Sequence, residues 1–343
     1  MSEDDVRNIF HENKNFLMEG LKPDNSPCAF ILGGQGASGK GLLSYHIAHN
    51  YSTVDFLNIN GDDFRVYHPD WNNLKTTPAY SRETQIFSSV FTEGLIRECA
   101  TRKISLIIEG TMRNPQTPIT TAAFLRSEGY RVGAYVIAAP KEFTAMGVYN
   151  RYVKEQKLQG WGRLAEIASH DAAVQGLPLS VDELYRQKIV DKLAIYTHLA
   201  QKKEAEYILD GNEWNNDVLP SVIIERSREQ QMSDKAYIRS IMEEARSTLS
   251  SIEDRYKQAA LQAFYALNRL QIENVHFFKH KDGQFYIQAQ IHGKTTYPAV
   301  LSSSDKNLID KAEKTDKKSI LLDIASRYFT GLSHAGLSHS RKR

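Results

Sequence analysis

Two regimes of apolar and polar spacing divide the chain. Up to about residue 210, short apolar runs alternate with longer stretches whose apolar residues recur every three or four positions. Residues 1–26 read as a polar helix and a loop, leading into Pro23-Asp24-Asn25-Ser26-Pro27. Cys28–Leu32 is too short for a helix and is stopped by Gly33-Gly34, which predicts a buried strand. Residues 39–49 carry Leu42, Leu43, His46 and Ile47 at helical spacing, and Val54–Ile59 reads as a second strand. Ala79–Ala100 is a helix with Ile86, Val90, Phe91 and Leu95 on one face, followed by a third strand at Ser105–Ile108. Ile119–Ser127 reads as a helix, Arg131–Ala139 as a fourth strand, Lys141–Lys157 and Val181–Glu204 as helices, and Glu206–Leu209 as a last short strand. Strands that alternate with helices predict an α/β fold, a parallel sheet covered on both faces.

The spacing then changes. Ser233–Arg269 is a long charged helical stretch. Val275–Val300 alternates as strands do, with Asp282-Gly283 as a hairpin turn between Phe278 and Phe285. Asn307–Phe329 returns to helical spacing, and Ser338–Arg343 is a short basic tail. The pattern divides the chain into an N-terminal helix and linker (1–27), an α/β domain (28–230) and a smaller C-terminal α+β region (231–343). The total of 343 residues fits two domains of ordinary size. There is no internal repeat and no low-complexity tract.

Composition narrows the partners. A net charge of +2 gives no strong field for nucleic acid or an anionic membrane. Cys28 and Cys99 are too few for a disulfide framework and fit a reducing compartment. The acidic start Met1-Ser-Glu-Asp-Asp has no apolar signal region, and runs such as Ser105–Ile108 and Ala134–Ala139 are far below spanning length. The expectation is a soluble cytoplasmic protein.

Chemistry enters at Gly34-Gln35-Gly36-Ala37-Ser38-Gly39-Lys40, which matches G-x-x-x-x-G-K between a predicted strand and a predicted helix. The glycines let backbone N–H groups curl around phosphate oxygens, the helix N-terminus adds partial positive charge, and Lys40 reaches the β- and γ-phosphates. This predicts a P-loop kinase-like sheet that binds ATP. The alternative is a glycine-rich turn without a ligand. Gly41 stands where a Ser or Thr ordinarily touches Mg²⁺. The metal contact is therefore unassigned, with Ser38 and Asp63 as candidates.

Two further strand ends carry candidate residues. After Val54–Ile59 comes Asn60-Gly61-Asp62-Asp63-Phe64-Arg65, then His68-Pro69. Ligands of parallel α/β sheets bind at the carboxyl ends of the strands. Asp62 would there accept the proton of an acceptor hydroxyl; alternatively Asp62 or Asp63 caps the next turn. The third strand ends in Glu109-Gly110-Thr111-Met112-Arg113. Glu109 there can hold Mg²⁺ or a substrate hydroxyl and Arg113 an anionic group, or the two form a structural ion pair. His68, His170, His276, His280 and His292 lack metal-ligand spacing and read as structural.

These blocks resemble the zeta toxins, a family that includes the PezT-type toxins. The resemblance rests on Gly34-Gln35…Gly39-Lys40, on Asn60–Arg65 with His68-Pro69, and on Ile107–Arg113 followed by Pro118-Ile119-Thr120-Thr121. Glu142, Arg151-Tyr152, Arg163 and His170-Asp171 continue it, over about residues 28–215. The family resemblance implies an ATP-dependent kinase that phosphorylates the 3′-hydroxyl of the amino sugar of UDP-N-acetylglucosamine and so interferes with cell-wall synthesis. It implies Lys40 as phosphate lysine, Asp62 as general base, and Arg151 and Arg163 as a clamp on the transferring phosphoryl group. It implies substrate contacts at Glu93, Glu109, Thr111, Arg113 and Thr121, and a small antitoxin as a separate partner. Two departures stand out. One is Gly41; the other is an Arg151–Arg163 segment one residue shorter than in well-known members, containing Gly160-Trp161-Gly162.

Two other functions fit the same residues. One is a P-loop kinase of another nucleotide sugar, nucleotide cofactor or metabolite. The other is a nucleotide-binding interaction protein with weak kinase activity. Beyond residue 230, Lys279, Lys281, Lys294, Lys306, Lys311, Lys314, Lys317 and Lys318 interleave with Phe277, Phe278, Phe285 and Tyr286. The favoured reading there is a solvated lysine surface over an ordinary core, against a nucleic-acid or partner module.

Overall fold

A computed structural model describes residues 1–77, 79–313 and 315–331. Lys314 and the basic tail Ser338–Arg343, with Arg341-Lys342-Arg343, lie outside the described residues. The chain forms two compact units, Met1–Thr144 with Lys154–Glu229, and Ala145–Val153 with the residues from Gln230 on.

The first unit begins with α1 (Glu3–Leu17), β1 (Cys28–Gly33), α2 (Lys40–Asn50) and β2 (Leu57–Asn60). A 3₁₀ helix (Gly61–Tyr67), α3 (Trp71–Leu74), α4 (Tyr80–Glu83), α5 (Gln85–Arg102), β3 (Leu106–Glu109), α6 (Gln116–Ser127) and β4 (Arg131–Ile137) follow. Next come α7 (Lys141–Gln159), whose Ala145–Val153 stretch groups with the second unit, α8 (Ile167–Gln187), β5 (Lys192–Tyr196), β6 (Lys203–Asp210), β7 (Glu213–Trp214) and α9 (Pro220–Ser233), which passes into the second unit at Gln230.

The sheet order is β2-β3-β1-β4-β5-β6-β7, parallel from β2 to β5. The central strands read as unbroken apolar runs because both of their faces are buried. Ala29 and Ile31 of β1, Leu106 and Ile108 of β3, and Val132, Ala134 and Val136 of β4 face one core. Phe30 and Leu32, Ile107, and Tyr135 and Ile137 face the other, under Leu43 and Ile47 of α2. α1 belongs to the first core: Phe10 packs edge-on to Phe91, ring centroids 5.4 Å apart.

Chain direction around β1 positions the site. From β1 the chain runs outward to β2, returns to β3 beside β1, then crosses to β4 on the other side. Loops leaving the carboxyl ends of β1 and β3 thus diverge and leave a crevice.

The structure corrects the expected helix Val181–Glu204. α8 ends at Gln187, where Lys188 turns left-handed with φ 52°. Lys192–Tyr196 is then a buried strand between β4 and β6. An apolar run of that length is compatible with helix or buried strand; pairing decides it. β6 runs antiparallel to β5 because the segment between them is too short for a crossover.

In the second unit, the expected helix Ser233–Arg269 is broken into α10 (Lys235–Ser251) and α11 (Asp254–Arg269) by extended backbone at Ile252 and Glu253. β8 (Ile272–Lys279) and β9 (Phe285–Ile291) form the expected hairpin, with Gly283 at φ 84° in its turn. β10 (Lys294–Thr295) and β11 (Ala299–Val300) pair with the other edge of β9. The expected helix Asn307–Phe329 is two, α12 (Ser303–Lys311) and α13 (Lys317–Tyr328). Ile287, Ala289, Leu301, Ile309, Ile324 and Ala325 form this unit's own core.

Candidate functional site

The glycine-rich loop leaves β1 and ends at the first residue of α2. Gly39 holds φ 106°, and a Cβ there would lie 2.5 Å from Leu199 Cα, so only glycine fits. The loop is braced from behind. Leu199 N donates to the Ser38 carbonyl at 2.9 Å, and His198 Nε2 lies 3.2 Å from the Ala37 carbonyl. Gln35, fully buried, donates through Nε2 to the Ala139 carbonyl at 2.9 Å and to Thr144 Oγ1 at 3.1 Å. Thr144 Oγ1 meets His170 Nε2 at 2.8 Å, and His170 Nδ1 meets Asp171 at 2.9 Å. Burial holds the His170 pKa below the ordinary imidazole value, and the ring serves as a brace.

Lys40 Nζ donates to the carbonyls of Gly34 at 2.8 Å and Gln35 at 3.1 Å, which folds its ammonium over the loop. Ser38 Oγ is buried beside Gly34 and has no hydrogen-bond partner among the described residues. A buried hydroxyl left open in a curled, glycine-rich loop fits an oxygen-rich ligand such as a phosphate chain.

At the end of β2 the capping question is settled. Asn60 caps the 3₁₀ helix, its side chain accepting from Asp62 N at 3.2 Å. The Asp62 carboxylate accepts instead from Arg65 Nε at 2.8 Å. Arg65 is buried, and Nη1 donates to the Ser81 carbonyl and Thr84 Oγ1, Nη2 to Gln85 Oε1. A guanidinium that makes four hydrogen bonds thus orients the half-exposed Asp62. The Asn60–Arg65 block contains this arginine, but its role is set by residues from Ser81 to Gln85, which no local pattern links to it.

Glu109 ends β3, with Asn58 Nδ2 3.4 Å from Oε1. Burial raises its pKa above the ordinary glutamate value, opposed by the neighbouring Lys40. Its Oε1 lies 4.0 Å from where a Cβ at Gly41 would stand. The loop after β3 is pinned by α8. Ser180 Oγ donates to the Met112 carbonyl at 2.6 Å, and a Cβ at Gly176 would lie 2.1 Å from the Arg113 carbonyl oxygen. Neither Gly176 nor Ser180 carried a sequence signal for this contact.

Arg163 lies between α7 and α8. Its Nη1 is 3.6 Å from Asp63 Oδ1, its Nη2 3.2 Å from Glu155 Oε1, and its backbone N donates to Glu155 Oε2 at 2.7 Å. Burial alone would lower its pKa, but Glu155 and Asp62 outweigh burial and hold it above the usual arginine value. Lys40, Asp62, Asp63, Glu109 and Arg163 are thus electrostatic neighbours at one end of the sheet. Thr111 follows Glu109 and is partly buried. Arg113 is turned to Ser169 Oγ at 2.9 Å, and the Thr121 hydroxyl donates to Thr117 of its own helix. Glu93 is exposed on α5. Arg151 lies on α7 within Ala145–Val153, the stretch that groups with the second unit.

A family model described as zeta toxin matches residues 14–213. The chain belongs to the zeta toxin family. Toxin zeta of Enterococcus hirae is 28% identical over 256 residues, covering 73% of this chain and 84% of that protein. Toxin zeta of Streptococcus pyogenes is 30% identical over 194 residues, covering 55% and 67%. A solved chain from the PezAT chromosomal toxin–antitoxin system of Streptococcus pneumoniae superposes with a TM-score of 0.61 at 22% identity, over 73% of this chain and 98% of that chain. That likeness concerns the fold. Zeta toxins are P-loop kinase-like phosphotransferases, and the sheet order and glycine loop here are those of such a protein. Among the described residues no helix is long and apolar enough to cross a membrane.

Proposed function

We propose that this zeta toxin family member transfers the γ-phosphoryl group of ATP to the 3′-hydroxyl of the amino sugar of UDP-N-acetylglucosamine. The observation that carries the proposal is the register that sets Leu32, Asn60 and Glu109 side by side, so that the phosphate loop with Lys40, Asp62 and Glu109 share one end of the sheet, with Arg163 3.6 Å from Asp63. Gly34–Gly41 would hold the phosphates, the buried Ser38 hydroxyl supplying one open contact. Mg²⁺ binds nucleotide phosphates while keeping several waters, and needs one or two carboxylates at most. Glu109, beside the bare Gly41, would meet that hydration shell or a sugar hydroxyl.

In the reaction the acceptor oxygen forms a bond to the γ-phosphorus, the bond to the β–γ bridging oxygen breaks, and ADP leaves. The acceptor proton passes to Asp62, which Arg65 keeps aimed. Arg163 would neutralise charge on the equatorial oxygens. Glu93, Glu109, Thr111, Arg113 and Thr121 would contact the sugar nucleotide. A separate antitoxin would restrain the protein, as the PezAT name records for that system. Residues 28–230 would form the kinase domain, and 231–343 an accessory region.

Mass spectrometry of UDP-N-acetylglucosamine after incubation with protein, ATP and Mg²⁺ tests the reading. One added phosphate, absent with Asp62→Ala and Lys40→Ala, is the expected result. Unmodified sugar nucleotide with the wild-type chain overturns it. Expression in bacteria should be harmful, and both variants should relieve the harm.

A further inference from the structure

We propose that Trp71 and Trp161 are positioning residues that latch the loop carrying Arg163 onto the segment carrying Asp62 and Asp63. The inference rests on the reading of Arg163 as part of the phosphoryl clamp. α7 ends at Gly160, with φ 79°, and α8 starts after Glu166, whose backbone is extended. Residues 161–166 between them have no regular structure. Contacts to Glu155 tie Arg163 only to the end of its own preceding helix.

Among the described contacts of this loop, two reach across to the segment carrying Asp62 and Asp63. One is the Arg163–Asp63 pair at 3.6 Å, with Asp63 largely exposed, a kind of pair that holds little in water. The other is Trp161 against Trp71, edge to face, with centroids 5.2 Å apart and planes at 87°. Both rings are partly buried, and such a contact is directional and survives salt. Trp71 stands on a fixed base. Its backbone N–H donates to the His68 carbonyl at 2.9 Å, His68 Nδ1 accepts from Asp70 N at 3.0 Å, and the His68 ring packs on the buried Phe87 at 5.2 Å. The line of contacts runs from the core through Phe87, His68 and Trp71 to Trp161, two residues before Arg163. It gives Gly160-Trp161-Gly162, in the segment one residue shorter than in well-known members, a purpose: this chain closes its short arginine loop with a tryptophan.

The test has two arms on the full chain. In the first, Trp161→Ala and Trp71→Ala lower kcat for phosphorylation of UDP-N-acetylglucosamine roughly tenfold to a hundredfold, the scale for a misplaced catalytic group. The Kd for ATP changes by less than about twofold, since the phosphate loop is untouched. Trp161→Phe recovers most of the rate, and the double alanine variant is no slower than the singles. Wild-type kcat in the alanine variants, or a phenylalanine variant as slow as alanine, overturns the latch. The second arm needs no substrate. Trypsin cleavage after Arg163, followed by mass spectrometry on ligand-free protein, accelerates about tenfold or more in the alanine variants as the loop opens. Equal cleavage overturns the latch. If the wild-type chain phosphorylates no sugar nucleotide, the substrate reading fails and cleavage alone decides the latch.

Discussion

Arg65→Ala separates the support of the proposed base, Asp62, from Asp62 itself. Arg65 makes four hydrogen bonds through its guanidinium, to Asp62 at 2.8 Å, the Ser81 carbonyl at 2.7 Å, and Thr84 and Gln85 at 3.0 Å each. Asp62 is almost half exposed, so the ion pair itself contributes about 1 kcal/mol or less. The larger loss comes from the buried acceptors left without a donor, about 3 kcal/mol in all when water reaches some of them. For a unit of this size that lowers Tm by roughly 6–12 °C. Without the Arg65 bond the Asp62 carboxylate is aimed less well, and kcat falls about a hundredfold. Asp62→Ala sets the floor, a loss of about 10²–10⁴. Arg65→Lys restores part of the stability and little of the rate, because one ammonium cannot serve four diverging acceptors. Thermal unfolding and phosphotransfer kinetics at 25 °C read the two effects apart. If Arg65→Ala lowers Tm but leaves kcat unchanged well below the transition, the orienting role is refuted.

Gly39→Ala should abolish tight ATP binding, since a left-handed backbone and a Cβ 2.5 Å from Leu199 Cα force the loop open; nucleotide titration that gives a wild-type Kd refutes it. Gly176→Ala should push the Gly110–Arg113 loop off α8, raising KM for the acceptor more than KM for ATP, and equal effects on both would refute the pinning. Glu109 has a folded-state pKa raised by burial, so the folded state binds the proton more tightly than the unfolded chain. Its contribution to stability is present below the unfolded value of about 4.3 and is lost as pH rises through the folded pKa. Glu109→Gln should therefore be the more stable protein at pH 7, with the difference closing towards pH 4, while its kcat falls; a variant less stable at pH 7 contradicts the burial cause.

Much of the fold was legible because its determinants are local. Cys28–Leu32 and Ser105–Ile108 are short apolar runs, and the Gly33-Gly34 and Gly110 that follow them arbitrate for buried strands over helix. The hairpin at Asp282-Gly283 was legible for the same reason, a turn sequence between alternating runs. β5 was not. Lys188 ends α8 without a Gly or Pro, and the run to Tyr196 keeps an apolar character that either element could carry. The break at Ile252-Glu253 was equally silent, since no strong helix breaker marks it.

The sequence by itself determined the phosphate loop, the order of the acidic strand ends and the family. Each is a contiguous motif whose chemistry depends on backbone freedom or residue type at fixed short spacing. Only the tertiary structure decided what holds those groups in place. Arg65 finds its acceptors up to twenty residues away, Ser180 reaches Met112 across 68 positions, and Trp161 meets Trp71 from another loop. Sequence spacing fixes which side chains share a helix face or a turn. It does not say which distant carbonyl or ring will lie beside them, because that follows from how the sheet and its helices pack.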